Sequence, residues 1–187
     1  MKKMLMTICL AVGIILCQGC RNYMAVSIGS GGPTDSTSYA CEGGTVSQDS
    51  IYTIGFLAIL NGGDASYDES TEGEYSDLFE WEQSIGTVHS TGTYRDWPEM
   101  GLFCRYGRKV KPNLFISILG GITYVDEVEV YESDIRVYPY SYGKPAGEEI
   151  EPLFGGGVIY SIDNTNISVS VDYDNRRGIV GGLGFRF

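Results

Sequence analysis

The chain has 187 residues, with 26 glycines, 14 tyrosines and a formal net charge of −11 at pH 7. This length favours a single domain, and so acidic a chain argues against nucleic-acid binding, which requires a basic patch. Glycine, asparagine, aspartate and proline interrupt many short alternating runs, a pattern typical of an all-β chain.

The first segment, 1–19, has the features of an export signal. Two lysines precede the run MLMTICLAVGIILC, which is apolar but short for a membrane-spanning helix. Gly19-Cys20 resembles the end of a bacterial lipobox, so we predict lipidation of Cys20, with ordinary cleavage near the same point as the alternative. In both cases the exported domain is 20–187, and loss of the two lysines changes its formal charge from −11 to −13.

Export also determines how the remaining cysteines are interpreted. Cys41 lies in a predicted loop and Cys104 in a predicted strand. They could pair in an oxidising compartment, but their different settings favour two free thiols. With one histidine and no CxxC motif in the sequence, we predict no metal site and no cofactor.

Eight strands are predicted, each close to the roughly nine to eleven residues that cross a bilayer at a tilt. In chain order they cover 22–30, 50–60, 78–88, 99–108, 113–125, 153–162, 166–174 and 179–187. The predicted long loops are 31–49, 61–77, 89–98 and 126–152. The short turns are 109–113, 163–166 and 175–178. Alternation within 126–152 also predicts a strand hairpin that extends beyond the membrane.

The two faces of these strands differ in a way that indicates a membrane barrel. One face is a nearly continuous band of aliphatic and aromatic residues, whereas the other carries glycine, serine and charges of both signs. This arrangement suits apolar side chains facing lipid and small or paired polar side chains facing a lumen. The alternative is a soluble sandwich whose aromatic residues form the core.

Charged residues on the polar face need partners, because an isolated buried charge is costly. We therefore predict a charge network in the lumen, in which Arg105 and Arg186 are compensated by Glu80, Glu82 or Asp172.

Loop lengths predict the orientation of the barrel. With both termini in the periplasm, the short turns 109–113 and 163–166 lie on the periplasmic side, and the loops 31–49, 89–98 and 126–152 lie outside. Only 61–77, long and acidic, falls on the wrong side in this scheme.

The last strand carries a resemblance to a known group of proteins. Alternating apolar residues that end on phenylalanine resemble the C-terminal signature of Gram-negative outer-membrane barrels; here they are Ile179, Leu183, Phe185 and Phe187. With the export signal and the strand count, the chain resembles the small OmpA-like and opacity-protein-like barrels. This resemblance implies an all-β, eight-stranded antiparallel up-and-down transmembrane β-barrel, and a final strand that the barrel assembly machinery recognises.

The function expected on these grounds is a structural or surface-interaction role through the outer loops. An eight-stranded barrel is narrow enough to be filled by side chains, so a general porin is excluded. Tyrosine-rich 126–152 is the candidate surface for an extracellular partner. The other expected partner is outer-membrane lipid.

Two alternatives from other classes remain open at this stage. An enzyme that modifies lipid A would use His89, with Ser90, Thr91, Asp96 and Glu99 near it in the sequence. A soluble β-barrel lipoprotein would instead bind a small apolar ligand in its interior. Calcium binding by 64–74 is a weaker alternative, because its acidic spacing is not that of an EF-hand loop.

Overall fold

The computed structural model describes residues 21–32, 36–60, 69–71, 76–96, 98–135 and 141–187. The predicted signal segment 1–19 and Cys20 lie outside these residues and remain predictions. The described residues form one helix, α1 (Ser76–Ser84), and ten strands: β1 (Arg21–Gly31), β2 (Ser36–Val46), β3 (Ser50–Leu60), β4 (Glu69–Ser70), β5 (Val88–Arg95), β6 (Glu99–Lys111), β7 (Leu114–Ser133), β8 (Ser141–Ser161), β9 (Ile167–Asp174) and β10 (Gly178–Arg186). This helix is not long and apolar enough to cross a membrane.

Eight strands close into a barrel. Antiparallel pairing runs from β1 through β2, β3, β6, β7, β8, β9 and β10, and β10 pairs back onto β1. The closing register joins Tyr23 to Arg186 and Ser30 to Ile179, so it continues along nearly the whole of β1. Because the ladder has no open edge in this circuit, its backbone hydrogen bonds can be satisfied in lipid. The predicted eight-stranded antiparallel barrel is confirmed.

The outer wall is apolar and the inner wall is not. Large exposed side chains point outward from every barrel strand, among them Met24, Tyr39, Ile54, Tyr106, Ile118, Phe154, Val171 and Leu183. Buried polar side chains point inward, including Ser38, Glu42, Thr53, Arg105, Ser117, Ser170 and Asp172. Such a distribution is the reverse of a soluble sheet protein and is that of a transmembrane barrel.

The connections at the two ends of the barrel differ in length. At the lower end lie the start of β1 and the residue that follows β10, joined by hydrogen bonds between Asn22 and Phe187, together with the short turns 47–49, 112–113 and 162–166. At the upper end lie the connections between β3 and β6 and between β7 and β8. The hairpin of β7 and β8 extends far beyond the shorter barrel strands, as the alternation in 126–152 predicted.

Three of the predicted elements are corrected by the structure. Segment 36–46, assigned to a loop, is β2, and most of the predicted loop 89–98 is β5. Segment 78–88, assigned to a strand, begins inside α1. In α1 the buried residues are Phe79 and Glu82, three positions apart, which is helical spacing. Because 78–88 does not cross the barrel, all of 61–98 belongs to one connection at the upper end, and the misplaced loop 61–77 is explained.

Candidate functional site

The lumen is filled by three layers of side chains. A lower apolar layer consists of Tyr23, Ala25, Val46, Ile51, Phe115 and Ile159. An upper apolar layer consists of Leu57, Ile59, Phe103, Leu119 and Leu153. In the upper layer Phe103 lies so close to β3 that a Cβ at Gly55 would overlap its ring. Inward-facing Phe115 and Leu119, which broke the alternation in the sequence, are therefore packing residues.

A buried ion cluster lies between the two apolar layers. Arg105 of β6 donates from Nε to Glu42 Oε2 on β2 at 3.0 Å and from Nη1 to Asp172 Oδ1 on β9 at 2.5 Å. Its Nη1 also donates to Ser117 Oγ at 3.2 Å, and Thr53 Oγ1 donates to Glu42 Oε2 at 2.6 Å. Since Arg105 is only 3 % exposed, these charge-assisted bonds join three separated parts of the wall across the lumen.

Only part of the predicted charge network occurs in the lumen. Of the partners proposed for Arg105, the structure places Asp172 beside it, and adds Glu42, which lies in the segment predicted to be a loop. Glu80 and Glu82 are instead on α1, because 78–88 is not a barrel strand. Arg186 faces the lower mouth of the lumen, half-buried, and forms no ion pair with another described residue.

A second set of ion pairs lies at the upper mouth of the barrel. Arg176 makes a bidentate contact with Glu99, at 2.9 and 2.7 Å, and Arg177 donates from Nε to Asp174 at 2.6 Å. The guanidinium of Arg177 also lies over Phe103, 5.3 Å from the ring centroid. Sequence reasoning treated 175–178 only as a tight turn. The signal in the sequence that could have revealed these ion pairs is a pair of adjacent arginines that follows the inward-facing Asp172 and Asp174.

Above this mouth, residues 69–71, 76–96, 126–135 and 141–151 form what we call the outer extension. In it β5 pairs with the upper part of β7, and β4 pairs in parallel with β8 beside Tyr142 and Gly143. Its segments 76–96, 126–135 and 141–151 contain twelve acidic residues and two basic ones. Apart from Glu82, which is buried, these acidic residues give the outer extension a strongly acidic surface.

Helix α1 packs on the outer extension through aromatic contacts. The Phe79 ring lies 5.2 Å from the rings of Tyr131 and Tyr142, both in edge-to-face geometry. Tyr142 and Glu82 are fully buried. Burial, with the carboxylate of Glu82 as the next cause, raises the pKa of Tyr142 to about 12. Tyr142 therefore stays protonated at neutral pH.

Within the part of the chain that the structure describes, the side chains that His89 contacts are two carboxylates. Its ring nitrogens lie 3.8 Å from Glu132 and 3.7 Å from Asp134. Ser90 Oγ donates to Glu129, and Thr91 Oγ1 donates to the carbonyl of Val130. The hydroxyls of Ser90 and Thr91 therefore donate to acceptors other than the His89 ring. Glu99 forms an ion pair with Arg176.

The remaining sequence-predicted residues lie on the outer wall. Ile179, Leu183, Phe185 and Phe187 are all exposed on the face that meets lipid. Cys41 and Cys104 are free and exposed on the same wall, so the expected free thiols are confirmed. Among the described residues, no three histidine, cysteine or carboxylate side chains are grouped as a metal site would need.

Comparison with known proteins gives likenesses of structure alone. The sequence matches no protein family model and no curated protein. The structure is similar to Ail, the attachment invasion locus protein of Yersinia pestis, with 10 % identity over 89 % of this chain and 97 % of that one and a TM-score of 0.48. A major outer membrane protein from Thermus thermophilus shows 9 % identity over 90 % and 100 % of the two chains, with a TM-score of 0.48.

A de novo designed transmembrane β-barrel shows 14 % identity over 91 % of this chain and 98 % of the design, with a TM-score of 0.45. At these identities the likeness concerns overall shape. The barrel fold of this chain follows from its own closed strand register.

Proposed function

We propose that this chain is an outer-membrane β-barrel that acts at the cell surface through its outer extension. The observation that carries the proposal is the contrast between the two parts of the molecule. The lumen is crossed by two apolar layers and a buried ion cluster, whereas β5, α1 and the hairpin of β7 and β8 form a folded surface outside the membrane. A filled lumen argues against a general porin.

The proposed orientation places the lower end, with both termini, in the periplasm. Short turns at one end and long connections at the other support it, because outer-membrane barrels have short periplasmic turns. In this orientation the outward face of β10, with Ile179, Leu183, Phe185 and Phe187, is the segment proposed for recognition by the barrel assembly machinery.

The charge of the outer extension supports a cationic partner, such as a basic protein or peptide. Complementary charge steers association and selects partners, while a polyanion would be repelled. The soluble lipoprotein alternative needs room for a ligand inside the barrel, and the packed lumen does not favour it. The enzyme alternative has no supporting arrangement around His89.

Membrane placement is tested by heat modifiability of protein extracted from the outer-membrane fraction. We expect the unboiled protein to migrate differently from the boiled protein in SDS, because a closed barrel resists unfolding by detergent. Migration that does not change on boiling, with the mature chain soluble without detergent, would contradict the proposal.

The surface role is tested with the folded barrel in zwitterionic nanodiscs, using polylysine and heparin as probes. We expect polylysine to bind in a salt-sensitive manner and heparin not to bind. Glu127→Gln with Glu132→Gln should weaken polylysine binding, whereas Asp49→Asn with Asp163→Asn, an equal change of charge at the lower end, should have little effect. Equal binding of the two probes would refute a cationic partner.

A further inference from the structure

The outer wall of β2, β3, β6 and β7 contains a shallow region. The strand register places Gly43, Ile54, Cys104 and Gly120 side by side in one outward-facing row. The next row toward the lower end is Thr45, Tyr52, Tyr106 and Ile118. Because three members of the first row are glycine or cysteine, little side-chain volume covers the backbone there.

These rows form an apolar groove of about 540 Å³ on the lipid-facing wall. Ile54 and Ile118 line it, and its lower border is the pair Tyr52 and Tyr106, whose ring centroids are 4.9 Å apart. In a membrane, this groove faces acyl chains rather than water.

The lower border of the groove leads to positive charge. Arg108 follows Tyr106 by two residues on β6, so it projects from the same outward face about 7 Å further toward the lower end. Lys109 and Lys111 are exposed at the same end. The charged side chains described at the lower end, outside the ion cluster, are Arg108, Lys109, Lys111 and Arg186, against Asp49 and Asp163.

We propose that this groove binds one anionic phospholipid of the leaflet at the lower end of the barrel. An acyl chain lies over Gly43, Cys104 and Gly120, and the tyrosine hydroxyls border the ester region. The phosphate group lies beside Arg108, with the two lysines near it. Tyrosines at a membrane interface commonly take this position between apolar chains and polar headgroups.

The positive charge beside the groove favours an anionic phospholipid over a second copy of the barrel as its occupant. A second copy of the barrel in the same membrane has the same orientation, so a symmetric contact through this groove would bring the two Arg108 side chains together. An anionic headgroup instead gains attraction from each basic residue near the surface. The inference rests on the membrane placement proposed above, and it goes beyond the surface role of the opposite end.

The test uses native mass spectrometry of the heat-modifiable, folded barrel with equal amounts of phosphatidylglycerol and phosphatidylcholine. We expect the barrel to retain phosphatidylglycerol preferentially. Arg108→Gln should reduce that preference about fivefold, the effect of one basic residue near a lipid surface. Gly120→Phe should reduce retention of both lipids by filling the groove.

Gly181→Phe is the matched control. Gly181 also faces outward, on β10 at the other side of the barrel, and a Cβ there meets no atom within 4 Å; at Gly120 the nearest atom is 4.0 Å away. We expect this control to retain lipid as the unchanged barrel does. Equal retention of the two lipids, no effect of Arg108→Gln, or the mass of a barrel dimer lost on Gly120→Phe would overturn the proposal. If the unchanged protein shows no change of migration on boiling, the membrane placement itself is refuted instead.

Discussion

Arg105 has two buried carboxylates within hydrogen-bonding distance, and its removal would leave both without a cation. We expect Arg105→Gln to lower the free energy of unfolding by about 3–5 kcal/mol, the usual cost of breaking a buried ion pair from one side. Urea unfolding of the barrel refolded in vesicles of phosphatidylcholine, which contain none of the anionic lipid proposed to bind beside Arg108, measures this change.

The control for this prediction is Arg108→Gln, on the same strand but on the exposed outer face, which should change stability by no more than about 0.5 kcal/mol. Adding Glu42→Gln and Asp172→Asn to Arg105→Gln should recover part of the loss, because no buried charge is then left unpaired. Equal stability of Arg105→Gln and Arg108→Gln would show that the ion cluster does not hold the wall together.

Tyr142 should ionise far above the ordinary range for tyrosine. The difference in ultraviolet absorbance between the unchanged protein and Tyr142→Phe, followed against pH, should show a midpoint near the raised pKa of about 12 rather than 10. Glu82→Gln should lower this midpoint only in part, because burial is the larger cause. A midpoint near 10 would mean that α1 does not cover this phenol.

Because of the same raised pKa, alkaline pH should weaken the docking of α1. The docked form keeps a proton on Tyr142 that the undocked form releases above its ordinary pKa near 10. The stabilising contribution is therefore complete below pH 10 and is lost as the pH rises towards the folded pKa.

At the level of elements, most strands could be predicted from the sequence because their outward faces are strongly apolar. The strand predicted for 50–60 coincides with β3, and the prediction for 99–108 falls short of β6 only at its end. β2 was missed because its outward face has Tyr39, Cys41 and Gly43, which is a weak apolar signal. The residue that stabilises β2 in the barrel is the inward Glu42. It does so through its ion pair with Arg105, which is distant in the sequence.

The opposite error arose at α1. Phe79, Trp81 and Ile85 fall at odd positions and imitate a strand, so period alone could not separate the two structures. The deciding feature is tertiary, since Phe79 and Glu82 are buried against β7 and β8 while Trp81 is 52 % exposed. The same two errors limited prediction of the ion cluster. Arg105 and Asp172 were found, Glu42 was missed with β2, and Glu80 and Glu82 were wrongly placed in the lumen because α1 was taken for a strand.

Docking of α1 should depend on Phe79. We expect Phe79→Ala to destabilise the docked helix by about 3 kcal/mol, because two aromatic contacts and a buried ring are lost. Hydrogen exchange at the amides of Ile85, Gly86 and Thr87, which bond to carbonyls of α1, reports this opening. Trp81→Ala is the control and should leave exchange unchanged. Unchanged exchange in Phe79→Ala would show that the helix is held by other contacts.

For the molecule as a whole, charge separates along the barrel axis. The outer extension is strongly acidic and the lower end is mainly basic, with a packed apolar wall and a filled lumen between them. This polarity fits both proposals, because each proposed partner is opposite in charge to the end that it is proposed to contact: a cationic partner above the membrane and an anionic phospholipid at the lower end. The surface role requires the orientation in which the short turns face the periplasm.

The lysines can test that orientation directly. After residue 20 the sequence contains three: Lys109 and Lys111 at the lower end and Lys144 on β8 in the outer extension. A membrane-impermeant amine reagent applied to intact cells should label Lys144 alone, and permeabilised cells should be labelled at all three, as read by peptide mass spectrometry. Lys144→Arg should abolish labelling of this protein in intact cells. Labelling of Lys109 or Lys111 from outside would reverse the orientation, and would place the acidic extension in the periplasm, where it could not serve the proposed surface role.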